Sequence, residues 1–245
     1  MISKDKVRKQ GEIDYPLKLN ADEVDWLYNK PFRYPPTNET IKHLIDFGYI
    51  LRLLEIPREA KVLDLGVGPG WTSLFLSRIG YRVTGLDISP EMIRIARERA
   101  ARERADVRFL VADMENFELN EKFDGILVYD ALHHCINVGA IFKKCFEHLK
   151  SGGKLLLAEP NFMHNFRGKE AAQRFGTTER GYFPWYLKRT LRKCGFVKIR
   201  RFHNNRKRLY GNSPLEIVMH LSEAFVYRFI LSLFWTQIWI RAEVP

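Results

Sequence analysis

The amino-acid sequence predicts an α/β protein built on a doubly wound, mostly parallel seven-stranded sheet. Three observations carry this prediction. Short apolar runs alternate with amphipathic helical stretches from residue 61 onward, a glycine-rich loop directly follows the first of those runs, and glycine or proline marks most changes of element. Alternation at that pitch leaves helices on both faces of a buried parallel sheet. A chain of 245 residues, 46% hydrophobic and 28% charged, is long enough to bury such a core.

Residues 1–40 read as an irregular polar and aromatic lead-in that ends in Pro31-Phe32-Arg33-Tyr34-Pro35-Pro36. Thr37 to Leu54 then follows a helical period, with Ile41, Leu44, Ile45, Tyr49 and Leu53 on one face and Thr37 or Asn38 as cap. Lys61 to Leu65 is a short buried strand, the glycine loop follows, and Trp71 to Arg78 is a helix broken by Gly80. Arg82 to Asp87 is the second strand, and Ser89-Pro90 opens a helix that runs to about Arg104. Val107 to Val111 and Gly125 to Tyr129 are strands three and four. A helix over Val138 to Leu149 leads through Gly152-Gly153 into a fifth strand, Lys154 to Ala158. Pro184 to Cys194 is a helix closed by Gly195, Phe196 to Phe202 a strand, and Trp235 to Val244 the last strand. Between these two strands, Asn204 to Leu233 reads as an insertion with a helix near Leu215 to Ser232.

The net charge of +11 favours anionic partners: nucleic acid, a phosphorylated small molecule or an anionic membrane surface. Part of it concentrates at Lys188, Arg189, Arg192, Lys193, Lys198, Arg200, Arg201, Arg206, Lys207 and Arg208. This is either a phosphate-binding surface or a solvated helix and strand face. Arg200 and Arg201 cannot point the same way on a strand, which argues against one continuous patch. Cys135, Cys145 and Cys194 show no CxxC spacing, so neither a disulfide framework nor a metal site is expected. Reduced thiols and the absence of an apolar run behind Met1 to Lys9 point to the cytosol. The apolar stretch from Phe225 to Ile240 has about 12 residues between Arg228 and Arg241, too few to span a bilayer. It suits a helix over a substrate pocket followed by the last strand, with peripheral membrane contact as the other reading.

The chemistry lies at strand ends. In Asp64-Leu65-Gly66-Val67-Gly68-Pro69-Gly70 the glycines let backbone approach a ligand closely, and the next helix offers its N-terminus. Asp87 ends the second strand, where a doubly wound fold places an acid on a ribose diol, unless it serves as a helix cap. Asp113 and Met114 follow the third strand, where a carboxylate can accept from the exocyclic amine of adenine while the thioether packs on the ring. An ordinary strand-end turn explains the same residues. A dinucleotide fingerprint wants G-x-G-x-x-G, and its third glycine falls here on Trp71, whose indole leaves no room for a pyrophosphate.

Taken together, these motifs resemble the class I S-adenosylmethionine-dependent methyltransferases, in particular the group that includes the quinone-biosynthesis methyltransferases. The resemblance covers about Ala60 to Glu159, with a looser match through Phe196. It implies S-adenosylmethionine as cofactor. The loop of Gly66, Gly68 and Gly70 would wrap the methionine part with Asp64 nearby. Asp87 would bind the ribose hydroxyls with Ile88 beside the adenine, Asp113 and Met114 would hold the adenine, and Tyr129 would lie beside the methionyl group. His133 and His134, just beyond the fourth strand, are candidate general bases for a hydroxyl acceptor, although one ring commonly serves only to order this loop. Neither an Asn/Asp-Pro-Pro-aromatic run nor a cysteine in a prolyl loop follows the fourth strand, which disfavours DNA-methylating subclasses.

The expected organisation is a lead-in and cofactor lid (1–40), in which Trp26 to Phe32 would fold over the site, and a methyltransferase core (41–203). A substrate cap (204–234) and the last core strand (235–245) complete it. The expected acceptor is a small molecule or a lipid- or glycan-linked group, with O-methylation ahead of N- or C-methylation. The rival expectation is a catalytically silent cofactor-binding protein that contacts RNA or a protein.

Overall fold

A computed structural model describes residues 4–33, 37–202 and 237–245. The expected insertion at 204–234, its helix, Arg206 to Arg208, Tyr34 to Pro36 and Phe225 to Leu233 lie outside the described residues.

Seven strands form one sheet: β1 (Lys61–Leu65), β2 (Arg82–Asp87), β3 (Val107–Val111), β4 (Phe123–Tyr129), β5 (Leu149–Glu159), β6 (Val197–Phe202) and β7 (Ile238–Glu243). Their order is β3-β2-β1-β4-β5-β7-β6, parallel through β5, with β7 antiparallel to both neighbours. β5 begins earlier than Lys154, because Leu149 pairs with Phe123 before a bulge at which Gly152 takes φ 73°.

Alternate residues of the central strands face opposite ways and build two cores. Leu63, Leu65, Ile126, Val128, Leu155 and Leu157 pack on α6 (Val138–His148) and α9 (Pro184–Lys193). Val62, Leu127, Leu156 and Trp239 pack with Ile50, Leu53 and Leu54 of α3 (Asn38–Leu54) and Trp71 of α4 (Trp71–Arg78). Beside α4, α5 (Pro90–Glu103) buries Ile93, Ala96 and Ala100 against Phe109. No helix among the described residues is long and apolar enough to cross a membrane.

Two expectations need correction. The lead-in is helical: α1 (Lys4–Asp14), a 3₁₀ turn over Tyr15–Lys18, and α2 (Ala21–Asn29), which begins with a reciprocal cap between Asn20 and Glu23. In α1 the buried residue is Gly11, and a Cβ there would lie 2.0 Å from the Gly176 carbonyl oxygen. A helix docked through glycine and polar contacts carries no apolar stripe to read. The second correction concerns α3. Ile41 and Leu44 are exposed, whereas Thr40, His43, Asp46, Ile50, Leu53 and Leu54 are buried. His43 turns inward because its ring packs edge-on against Trp71 at 5.1 Å. Asp46 does so because it accepts the Tyr129 hydroxyl at 2.7 Å. Satisfied polar groups have displaced the apolar face.

Two short helices that the sequence left unassigned, α7 (His164–Arg167) and α8 (Lys169–Phe175), follow β5. Arg200 is exposed and Arg201 half-buried, as strand alternation requires.

Candidate active site

The loop after β1 turns through Gly66, Gly68 and Gly70 at φ 69°, 51° and 79°, backbone that side-chain-bearing residues rarely adopt. A Cβ at Gly66 would meet the Ala131 Cβ at 2.5 Å, whereas one at Gly68 would find open space. Gly68 is thus bare backbone facing a cavity of about 360 Å³, within the size range of small-molecule sites. Gly66, Gly68, Asp87, Ile88, Asp113, Met114, Tyr129, His133 and His134 all line this cavity.

Asp64 and Gly70 are not among its lining residues. The Asp64 carboxylate accepts the Thr72 and Ser73 hydroxyls at 2.6 and 2.7 Å, which ties β1 to the start of α4. Burial lifts its carboxyl to about 6 despite those two bonds. Gly70 precedes α4 at its N-cap and packs against Phe109 and Ala96. Both build the loop from behind.

Asp87 accepts the Gly68 amide at 2.8 Å and the Ser89 amide at 2.9 Å. The cap of α5 is Ser89, so Asp87 is not that cap. A carboxylate has about four acceptor directions, and with two used Asp87 keeps capacity toward the cavity. Burial raises its pKa against the pull of the two amides. Asp113 accepts the Glu115 amide at 2.9 Å and pairs with Lys9 of α1, so the first helix lies across this end of the cavity. Ser89 Oγ donates to the Ile13 carbonyl at 2.9 Å and strengthens that contact. Trp26 and Leu27 of α2, and Lys30 just after it, line the cavity as well.

At the far end, Tyr129 packs edge-on against Trp71 at 5.5 Å. The next turn carries His133 and His134, and Glu159 at the end of β5 fixes it. That carboxylate is fully buried and accepts the amides of Ala131 and Leu132 at 3.0 and 2.9 Å. Its second oxygen accepts the His133 amide at 3.3 Å and faces His133 Nδ1 at 3.0 Å. Nδ1 donates to that acceptor, and Nε2 lies 3.9 Å from a Glu179 carboxylate oxygen.

His134 differs. Its Nδ1 faces the Thr178 carbonyl at 3.0 Å and Glu12 at 3.3 Å. Burial opposes charge on this ring, but the hydrogen bond and charge of Glu12, with Glu179 and Asp130 nearby, lift its pKa to about 9. His134 is therefore protonated at neutral pH. Glu179 accepts from His164 Nε2 at 2.6 Å, and His133, His134 and Glu179 bring their ligating atoms within 4.8 Å of one another, a spacing a metal ion could use. Burial pushes the Cys135 thiol up to about 12, far from a nucleophilic thiolate.

Glu159 went unread in the sequence although it ends a strand, the position that singled out Asp87 and Asp113. Glu12, Lys9 and Glu179 gave no sequence signal, because they reach the cavity from helices and loops outside the strand rhythm.

Residues 62–153 match the family model described as a methyltransferase domain. A ubiquinone biosynthesis O-methyltransferase of Xanthomonas axonopodis pv. citri is 34% identical over 115 residues, 46% of this chain and 48% of that protein. The chain thus spans about half the length of the curated relatives it matches. Among solved structures, a phosphoethanolamine N-methyltransferase of Haemonchus contortus, in complex with phosphomonomethylethanolamine and S-adenosylhomocysteine, superposes with TM-score 0.67 at 18% identity. That match covers 100% of this chain and 61% of the other. The cyclase SpnF superposes with TM-score 0.65 at 14% identity, covering 100% and 97%. These structures share the fold, and the cyclase shows that the fold alone does not fix a reaction. Residues 62–153 thus match a methyltransferase domain, and the strand-end motifs of that region meet on one cavity of a seven-stranded Rossmann-like sheet.

Proposed function

We propose that this protein is an S-adenosylmethionine-dependent O-methyltransferase whose acceptor is a small or lipid- or glycan-linked molecule with a hydroxyl group. The observation that carries the oxygen assignment is His133 on the cavity wall, held from behind by the buried Glu159.

The residues present suit the cofactor. Gly68 presents backbone with nothing where its side chain would be, and Asp87 retains acceptor capacity for a ribose diol. Asp113 and Met114 lie where an adenine would be held, and the Gly66 loop and Tyr129 where the methionyl part would lie. When bound, S-adenosylmethionine supplies a methyl group on a positively charged sulfur. The chain's own part is to bind, orient, exclude water and take up one proton. Holding acceptor and methyl in line contributes about 7–11 kcal/mol. α1 and α2 lie over the cavity and serve as the lid.

His133 Nε2 accepts the acceptor's hydroxyl proton as the oxygen attacks. Nδ1 stays hydrogen-bonded to Glu159, whose charge stabilises the imidazolium so formed. His134 already holds a proton between Glu12 and Glu179, so it orients the acceptor rather than deprotonating it.

The test is calorimetry with S-adenosylhomocysteine, followed by turnover with radiolabelled S-adenosylmethionine on hydroxyl- and amine-bearing extract fractions. Binding with label appearing as an ether is expected. Absence of binding refutes the cofactor, and label on nitrogen or carbon refutes the oxygen assignment.

A further inference from the structure

One cation in the cavity has no hydrogen-bonded or ion-paired partner among the described residues. Lys30, at the end of α2, lines the cavity beside Trp26, Trp71, Tyr129 and Asp130, yet its ammonium makes no hydrogen bond or ion pair among the described residues. The neighbouring cations differ. Lys9 is paired with Asp113, and Lys42 lies 3.7 Å from Asp130.

Its placement is built in. The buried guanidinium of Arg99, on α5, donates through Nη1 to the carbonyls of Leu27 (3.0 Å) and Pro69 (3.2 Å) and through Nη2 to the carbonyl of Lys30. One side chain thus fastens the end of α2 to the glycine loop and holds Lys30 at the loop's mouth. Burial lowers the pKa of Lys30 itself, the nearby Asp130 carboxylate opposes that fall, and an anion set against the ammonium would oppose it further. Burial first, and Lys30 second, drive His43 down to about 3, and Lys30 is among the cations that hold Asp130 below the carboxylate range.

Of the cavity's carboxylates, Asp130 near Lys30 lies 3.7 Å from the Lys42 ammonium, whereas Asp87 and Asp113 stand at the nucleoside end and Glu12 and Glu179 beside the histidines. S-adenosylmethionine carries one anionic group, its α-carboxylate, on the methionyl part that the loop and Tyr129 would receive. An anion placed at Lys30 gains a charge-assisted hydrogen bond, and an anion placed at the other end meets carboxylates.

We propose that Lys30 binds the α-carboxylate of the cofactor, so that the amino-acid part of the ligand, and not only its nucleoside, is read by the lid. This rests on the S-adenosylmethionine reading above. It makes α2 a recognition element, and it predicts discrimination against ligands that lack the carboxylate.

The experiment compares S-adenosylhomocysteine with 5′-methylthioadenosine, which keeps the thioether and nucleoside but has no amino-acid part, by calorimetry on wild type, Lys30→Met and Lys30→Arg. In Lys30→Met, S-adenosylhomocysteine binds about 10- to 100-fold more weakly, the usual value of a hydrogen bond to a charged group. Methylthioadenosine stays within about two-fold, which also shows the variant to be folded. Lys30→Arg recovers most of the loss. Equal weakening of both ligands would mean that Lys30 only packs the lid, and unchanged affinity for both would mean that the carboxylate lies elsewhere; either overturns the proposal. If wild type binds neither ligand, the cofactor reading itself falls and this proposal with it.

Discussion

His133 and His134 are adjacent in sequence, with ring centroids 4.0 Å apart, yet their partners give them opposite characters. Glu159 engages Nδ1 of His133, whose Nε2 stands 3.9 Å from Glu179, whereas Glu12 and Glu179 raise the pKa of His134. His133→Ala should therefore lower kcat by about 10²- to 10⁴-fold, the range of general-base catalysis, with S-adenosylhomocysteine affinity nearly unchanged. His134→Ala should act mainly through KM for the acceptor. A larger kcat loss in His134→Ala than in His133→Ala reverses the assignment. The same electrostatics sets a pH dependence of stability. The folded-state pKa of His134 is raised from 6.5 to about 9, so folding and protonation favour each other. The contribution is complete below about pH 6.5 and disappears as pH rises through about 9. Melting temperatures of wild type and His134→Gln, followed from pH 6 to 10, should differ most at the acid end and converge at the alkaline end. A gap that widens with pH contradicts the charged ring. The sequence offered both histidines as equals, because the groups that separate them lie 26 or more residues away along the chain.

At the scale of elements, the strands were legible and the helices of the N-terminal segment were not. β1 to β3 fall at their expected residues, because buried apolar runs bounded by glycine or charge admit few other readings. α1 has no such signature: its first turn is Lys4-Asp5-Lys6, its buried residue is Gly11, and its contacts are Lys9 to Asp113, Glu12 to the Thr178 amide and Ile13 to Ser89. Each depends on a partner distant in sequence. The glycine is the tightest constraint, since any side chain there strikes the Gly176 carbonyl. Gly11→Val should therefore undock α1 while sparing the sheet. Dissociation of S-adenosylhomocysteine, measured by stopped-flow displacement, should accelerate about 10-fold, which corresponds to about 1.4 kcal/mol of lost closure. The melting temperature of the unliganded protein should move by only a few degrees. Unaltered dissociation would show that α1 does not gate the cavity. α3 teaches the converse lesson. Its apolar stripe is buried only toward its end, at Leu53, while Ile41 and Leu44 stay exposed because His43 and Asp46 find Trp71 and Tyr129.

Across the whole molecule, the site is assembled by the order of the sheet. The ends of β1, β2, β3, β4 and β5 contribute the glycine loop, Asp87, Asp113, Tyr129 with the histidine turn, and Glu159. Parallel strands that end on one side of a sheet bring such residues together wherever they lie in sequence, which is why most of the site could be read without a structure. The last two strands need long-range closure. The final strand in sequence, β7, lies inside the sheet between β5 and β6 and pairs with β5 from Glu159↔Ile238 to Lys154↔Glu243. Ile238, Trp239, Ile240 and Ala242 have no exposed surface, and the Arg241 guanidinium reaches Glu55 at 2.6 Å to tie this strand to α3. These residues support Glu159 from the side, because β7 hydrogen-bonds along the strand that ends in it. Deletion of residues 237–245 should therefore remove the cooperative unfolding transition altogether, since the loss exceeds the roughly 5–15 kcal/mol that hold a typical domain together. Trp239→Ala, a milder lesion, should cost about 3–5 kcal/mol and leave a cooperative transition at lower temperature. Urea melts followed by tryptophan fluorescence and circular dichroism distinguish the two. A truncated chain that still melts cooperatively near the wild-type midpoint would show that β7 is an appendage and that Glu159 is held by the parallel strands alone.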